Sequence, residues 1–81
     1  RSNLIPRDIE IDIYPNPTTD IVHIKTKEEY TSVSIIDVFG KTCYMGMATE
    51  ISMRNFSAGM YTINLTLSDN SLYSKKLILI K

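Results

Sequence analysis

Tyr14-Pro15-Asn16-Pro17-Thr18-Thr19-Asp20 is the stretch that sets how the first two strands of the chain meet. It lies between two runs in which apolar and polar residues alternate, residues 9–13 and 21–25. Each proline fixes φ and lacks an N–H donor, so a central strand cannot continue through the stretch. The Asn, Thr and Asp side chains can bond to nearby backbone and hold a turn. We therefore predict a rigid corner between two strands.

Short runs of strand-like sequence continue from this corner to the end of the chain, with turn residues between them. In the longest run, residues 60–67, apolar and polar side chains alternate, as expected for a strand with one buried face. The predicted strands are residues 9–14, 21–26, 32–38, 41–45, 50–53, 60–67 and 72–80. Seven strands about ten residues apart favour an all-β, antiparallel, seven-stranded β-sandwich, with a closed barrel as the alternative.

Two local motifs refine this prediction. In Asp37-Val38-Phe39-Gly40, the aspartate can cap the backbone and the glycine can take the positive φ of a following bulge, which indicates a tight hairpin turn. In Phe56-Ser57-Ala58-Gly59-Met60-Tyr61, an apolar anchor and a glycine precede a tyrosine at the start of a strong strand. This resembles the tyrosine corner of immunoglobulin-like folds, in which the hydroxyl bonds to upstream backbone. An ordinary inward-facing tyrosine would give the same pattern.

Composition and charge narrow the class of protein. The 81 residues include nine basic and nine acidic side chains without long runs of one sign, which argues against a nucleic-acid or anionic-membrane surface. No apolar stretch approaches the roughly 20 residues that span a bilayer, so no membrane span is expected. Residues 1–8 contain Pro6 and little pattern, and we interpret them as a linker before one domain at residues 9–81. A start at Arg1 rather than Met suggests a piece of a longer protein.

Residues that could carry catalysis or bind a metal are few. His23 is the one histidine and lies on the outward phase of its strand, while the one cysteine, Cys43, is interpreted as a small buried hydrophobe. A hydrolytic triad needs a nucleophile, a base and an orienting acid, and a zinc site needs three or four ligands. The sequence offers neither set, and its three glycines are too scattered for a phosphate loop. We therefore predict no enzyme activity, metal or cofactor for this domain.

The last predicted strand departs from the alternation of the others. Leu77 and Leu79 face one way and Ile78 and Ile80 the other, so both faces are apolar. The strand is either central and covered twice, or it keeps one face for a partner. The lysines that bracket it, at positions 75, 76 and 81, suit an edge strand guarded against aggregation. They equally suit a strand that a receptor recognises by strand addition.

Four blocks of the sequence together resemble one family. They are Tyr14-Pro15-Asn16-Pro17-Thr18-Thr19-Asp20 with Val22 and Ile24, Val33-Ser34-Ile35-Ile36-Asp37-Val38-Phe39-Gly40-Lys41, Gly59-Met60-Tyr61 with Ile63 and Leu65, and Lys75-Lys76-Leu77-Ile78-Leu79-Ile80-Lys81. In this order, over residues 9–81, they are similar to the type A C-terminal sorting domain of the type IX (Por) secretion system of certain Gram-negative bacteria. The motif positions that match are Tyr14, Pro15, Asn16, Pro17, Asp20, Asp37, Gly40, Lys41, Gly59 and Tyr61.

The resemblance implies a signal rather than an activity. Domains of this family are immunoglobulin-like sandwiches at the end of a cargo protein, recognised in the periplasm and passed through an outer-membrane translocon to the cell surface. A sortase-like surface peptidase then usually removes them in the linker. Carried onto this chain, the linker is residues 1–8. The recognised end is Lys75, Lys76, Leu77, Ile78, Leu79, Ile80 and Lys81.

Two other functions fit the fold. One is an adhesive or carbohydrate-binding sandwich that stays attached to a surface protein, with Tyr14, Tyr30, Tyr44 and Tyr73 as candidate sugar-stacking residues. The other is a passive spacer that forms a homodimer, because an apolar last strand could pair with its own copy along an edge.

Overall fold

Two antiparallel sheets contain all the strands of the computed structural model, which describes residues 11–81. The strands are β1 Ile11–Tyr14, β2 Ile21–Thr26, β3 Tyr30–Asp37, β4 Thr42–Gly46, β5 Glu50–Ser52, β6 Gly59–Leu67 and β7 Leu72–Leu79. One sheet has the order β1-β2-β5 and the other β4-β3-β6-β7, and the described residues include no helix. The predicted seven-stranded β-sandwich is confirmed. The predicted linker, residues 1–8, and the start of the first predicted strand, Ile9 and Glu10, lie outside the described residues.

The core lies between the two sheets. Successive residues of a strand point to opposite faces, so every second side chain of β1, β2, β3 and β6 enters the core. The buried apolar residues of both sheets form one cluster: Ile11, Ile13, Val22, Ile24, Val33, Ile35, Ile51, Met53, Tyr61, Ile63, Leu65, Leu67, Leu77 and Leu79. The alternation predicted for β6 is therefore confirmed.

The turn between β3 and β4 follows the predicted chemistry. The backbone N–H groups of Phe39 and Lys41 both donate to Asp37 Oδ1, each at 2.9 Å. Asp37 N donates to the Lys41 carbonyl at 2.9 Å, and Gly40 has a φ of 84°. A register shift lies between Ile35 and Ile36, where β3 faces β4. Cys43 is the extra residue of β4 at this shift, which is therefore a second irregularity, separate from the positive-φ turn at Gly40.

Tyr61 forms the predicted tyrosine corner at the start of β6. Its hydroxyl donates to the Ser57 carbonyl four residues upstream. Its ring is buried and lies 5.7 Å from the ring of Phe56, centroid to centroid. Burial raises the pKa of Tyr61, and the nearby Cys43 and Asp37 add to the increase. The loop before β6 is thereby tied to the core.

The register places the loops at two ends of the sandwich. Ile11 pairs with Thr26, and Ser68 N donates to the Glu29 carbonyl at 2.9 Å, so the chain enters β1 at the same end as loops 27–29 and 68–71. We call this the entry end. The corner at residues 15–20, the turn at residues 38–41, the loop at residues 53–58 and the last residues, 79–81, lie at the opposite end. We call it the corner end.

Tyr61→Phe removes the hydroxyl that holds the loop before β6 while keeping the buried ring. We expect the free energy of unfolding to fall by about 1 kcal/mol, the typical net value of a hydrogen bond. Urea unfolding of the 81-residue chain measures this change. Tyr73→Phe is the matched control, because its hydroxyl makes no hydrogen bond within the described part of the chain. Equal losses in the two variants would contradict the tyrosine corner.

Stability should fall at alkaline pH, because burial raises the pKa of both Tyr30 and Tyr61 above the ordinary value. An unfolded tyrosine ionises near pH about 10, so above that pH the unfolded chain releases its protons first and stability declines. Below it, both states keep the proton and the contribution is complete. Urea midpoints between about pH 8 and pH 11 test the effect. The decline should be smaller in a Tyr30→Phe/Tyr61→Phe double variant, and an equal decline would contradict the prediction.

Candidate functional site

β7 is an edge strand of the four-stranded sheet, and it contains the predicted recognition residues except Ile80 and Lys81, which follow it. It pairs antiparallel with β6 from Gly59↔Leu79 to Thr66↔Leu72. Leu77 and Leu79 lie in the core, so they build the domain rather than its surface. Ile78 and Ile80 point outward and keep 39% and 48% of their surface exposed. Of the two alternatives for this strand, a face open to solvent is the one that the structure shows.

The outer edge of β7 is covered by the proline corner. Thr18 N donates to the Ile78 carbonyl at 2.8 Å, and Ile80 N donates to the Thr18 carbonyl at 2.9 Å. These two bonds form a short parallel bridge between Thr18 and Leu79. A stretch near the start of the chain thus runs as a brief extra strand beside the end of the chain.

Asn16 extends this cover by one side chain. Its Nδ2 donates to the Lys76 carbonyl at 2.9 Å, and its Oδ1 accepts from Ile78 N at 3.1 Å. A side-chain amide has a donor and an acceptor side by side, as a strand backbone does, so it can pair with the edge of a sheet. Asn16 lies between two prolines, and both peptide bonds that precede the prolines are cis.

Thr18 anchors the corner from inside. It is fully buried, and its hydroxyl donates to the Ile21 carbonyl at 2.9 Å. On the other side, Asp20 accepts from the hydroxyl of Ser52 at 2.8 Å and from Met53 N, through its carbonyl, at 2.9 Å. The corner therefore contacts β7 in one sheet and the end of β5 in the other.

This contact differs from the sequence-based expectation. The corner residues were expected to bond to nearby backbone, which holds for Thr18 and Ile21. The partners of Asn16 are instead 60 and 62 residues away. The one sequence signal that pointed to them was the apolar last strand, since such an edge needs a cover. That signal did not show which segment covers the edge, because Asn16 lies about sixty residues from β7 in the sequence.

The covered edge limits how a partner can approach β7. In an antiparallel pair, alternate residues direct both backbone groups away from the partner strand. On β7 these outward groups, from the Lys76 carbonyl to Ile80 N, are bonded to the corner. A partner strand, including a second copy of this chain, would have to displace Asn16 and Thr18. The side chains of Lys76, Ile78 and Ile80 stay accessible on the outer face.

The bracketing lysines have different surroundings. Lys75 is half-buried on the inward phase of β7, whereas Lys76 and Lys81 are exposed. Lys81 Nζ donates to the Arg54 carbonyl at 2.8 Å, which holds the last residue against the loop that follows β5. The accessible charges of the predicted recognition segment therefore lie at the corner end.

The four tyrosines proposed for sugar stacking do not gather on one surface. Tyr30, Tyr44 and Tyr73 are half-buried and pack against the core. Burial, and to a lesser degree the neighbouring Tyr44, raises the pKa of Tyr30. Tyr14 stacks on His23 with ring centroids 5.2 Å apart. Tyr14 is exposed on the outer face of β1 while the other three rings pack against the core, so the four rings do not share one surface.

His23 and Cys43, the remaining candidate residues, contact other side chains of the sandwich. His23 Nδ1 lies 3.9 Å from Glu50 Oε1 on the neighbouring strand. Cys43 is half-buried rather than fully buried, and it packs against the core. Within residues 11–81, no three His, Cys, Asp or Glu side chains are grouped closely enough to hold a metal ion. No helix in that range is long and apolar enough to cross a membrane.

Comparisons with known proteins match this chain to one family. The family described as the secretion system C-terminal sorting domain matches residues 12–81. The endo-acting ulvan lyase of Formosa agariphila is 37% identical over 75 residues, which cover 85% of this chain and 14% of that protein. The ulvan lyase NLR42 of Nonlabens ulvanivorans is 36% identical over 74 residues, covering 84% of this chain and 14% of that protein. The chain thus spans about one seventh of the length of these relatives.

Asn16→Ala should open part of the β7 edge. The substitution removes both side-chain bonds, so we expect hydrogen exchange at the Ile78 amide to accelerate and stability to fall by about 1 kcal/mol. The Ile80 amide, held by the Thr18 carbonyl, should change less. NMR hydrogen exchange measures the two amides separately.

The control for Asn16→Ala is Thr19→Ala, an exposed neighbour in the same corner. It should leave exchange at Ile78 unchanged. Equal exchange rates at Ile78 in the Asn16→Ala variant and the unmodified chain would contradict the role of Asn16.

Proposed function

The chain belongs to the C-terminal sorting domains of the type IX secretion system. From that membership we propose that the outer-membrane translocon recognises the end of β7 and the two residues that follow it. The observation that carries this proposal is the covered edge of β7. Because Asn16 and Thr18 occupy the backbone groups there, recognition of the folded domain uses the outward side chains of the strand.

The proposed signal consists of a few outward side chains on a strand that the core fixes in place. Leu77 and Leu79 anchor β7 in the core, which fixes the direction of the side chains between and beyond them. Lys76, Ile78 and Ile80 alternate with the anchors and point to the outer face. The exposed lysine and isoleucines thus form one surface patch at the corner end that is both charged and apolar. Because hydrogen bonds and the core hold the backbone of this segment, a receptor that binds it has to order only the side chains.

We propose that the domain acts on an enzyme attached upstream. Its relatives are ulvan lyases of which the matching region is 14%, so most of each relative lies outside that region. By this likeness, the cargo of this chain is a secreted lyase that acts on ulvan. The sorting domain supplies transport and the upstream part supplies the chemistry.

The proposed route crosses the periplasm and ends at the cell surface or outside the cell. We propose that a sortase-like peptidase then cuts within the linker, residues 1–8, and releases the domain at residues 9–81. The support from the fold is the position of Ile11 at the entry end, opposite to the β7 signal. A cut before Ile11 would leave the signal end untouched.

Charge reversal at Lys76 and Lys81 should trap cargo in the periplasm. We expect the Lys76→Glu/Lys81→Glu variant, fused as the 81-residue chain to a reporter enzyme, to lose surface display in a host with this secretion system. Cell fractionation measures the reporter in the periplasm and at the surface. Deletion of residues 75–81 is a poorer test, because it removes the buried Leu77 and Leu79 and would destabilise the sandwich by several kcal/mol.

The matched control is Lys25→Glu/Lys27→Glu, two exposed lysines of β2 and the following loop. This variant should be exported like the unmodified fusion, and the mass of the surface reporter should show that residues 9–81 have been removed. Surface display of the Lys76→Glu/Lys81→Glu fusion at the unmodified level would refute the proposed signal. A surface reporter that retains the whole domain would refute its removal.

A further inference from the structure

The turn between β3 and β4 exposes two apolar side chains that the fold does not require. Val38 and Phe39 keep 68% and 91% of their surface exposed. The turn depends on the Asp37 carboxylate and on the positive φ of Gly40, and polar residues at the two positions between them would serve it equally well. Exposed apolar side chains that form a contiguous patch are typical of interaction sites.

Two adjoining grooves connect this turn to the β7 signal. The larger, of about 530 Å³, lies between the turn and the loop before β6, with Phe39 and Phe56 in its walls. The smaller, of about 190 Å³, extends over the outer face of the sheet to Lys76. Val38 and Met60 border both grooves. Met60 in turn pairs across the sheet with Ile78, so an apolar surface continues from the turn to β7.

The charges around this surface favour a partner with carboxylates. Lys41 borders the larger groove and Lys76 the smaller one. The Asp37 carboxylate borders both grooves, and its Oδ1 accepts two backbone N–H groups. Two cations against one carboxylate leave a net positive charge, which favours acidic residues around an apolar ridge.

We propose that Val38 and Phe39 form, with Met60 and Ile78, one docking surface for a protein of the export machinery that presents an apolar ridge bordered by carboxylates. The inference rests on the proposed function and extends the signal from β7 to the β3–β4 turn. The partner side chains enter the two grooves, and the lysines set their register. The machinery thus reads a folded surface made of three separate segments.

Two other occupants fit this surface less well. A second copy would place the same net positive patch on both sides of a two-fold axis, so the charges of the two copies would repel. A lipid bilayer would receive the Asp37 carboxylate and the polar backbone of the larger groove along with Phe39. A protein with complementary carboxylates avoids both penalties.

The test is export of the reporter fusion with Val38→Ser/Phe39→Ser in the 81-residue chain. Loss of two central apolar anchors commonly weakens binding by more than about tenfold, so we expect the surface fraction of the reporter to fall at least about tenfold. The control is Leu72→Ser, which removes a 73%-exposed apolar side chain at the entry end and should be exported normally. Urea midpoints of the purified chains should match within error, because the changed residues are exposed.

A second variant, Lys41→Glu, keeps the apolar residues and reverses one bordering charge. It should lower the surface fraction, whereas Lys27→Glu at the entry end should not. This pair tests the surface even if the serine variant folds poorly.

Three outcomes would overturn the docking surface. The first is normal export of both Val38→Ser/Phe39→Ser and Lys41→Glu while Lys76→Glu/Lys81→Glu stays in the periplasm. In that case only the β7 segment acts as the signal. If the last variant is also exported, the proposed function itself fails. The second is binding of the purified chain to phosphatidylcholine–phosphatidylglycerol vesicles that Val38→Ser/Phe39→Ser abolishes. The third is a dimer in sedimentation equilibrium that the same variant abolishes.

Discussion

The pairing of the proline corner with β7 is the contact on which the rest of the structure depends. β7 is an edge strand, and an uncovered edge offers unpaired N–H and C=O groups to any extended chain. Thr18 and Asn16 satisfy four of these groups with two backbone and two side-chain hydrogen bonds. The same corner binds the end of β5 through Asp20, so the two sheets are joined at this end by hydrogen bonds as well as by the core.

This contact also explains how a strand with an exposed apolar face can avoid aggregation through its edge. Ile78 and Ile80 face solvent in a strand whose inner side chains are fully buried. With a free edge, such a strand would be an aggregation hazard. The corner separates two properties that usually occur together, an apolar face and an open edge. The face stays available while the edge is closed.

The sequence predicted features whose partners are near in the chain or repeat with a fixed period. The alternation in β6 gave its buried face, and the Asp37-to-Gly40 spacing gave the turn. Tyr61 bonds four residues upstream, within the range of a local motif. The partners of Asn16 are about sixty residues distant, and nothing periodic connects them. The grooves beside Val38 likewise depend on which loops meet at the corner end, which is a property of topology rather than of any one segment.

Ile11 and the last residues of β7 lie at opposite ends of the sandwich, so its length separates them. β3 has eight residues, which at about 3.3 Å per residue extend roughly 26 Å from one end of the sandwich to the other. The first strand, β1, begins at one pole, and the exposed side chains at the end of β7 lie at the other. A contact made at one pole is therefore separated from a contact made at the other by the length of the sandwich, so the two poles can be bound independently.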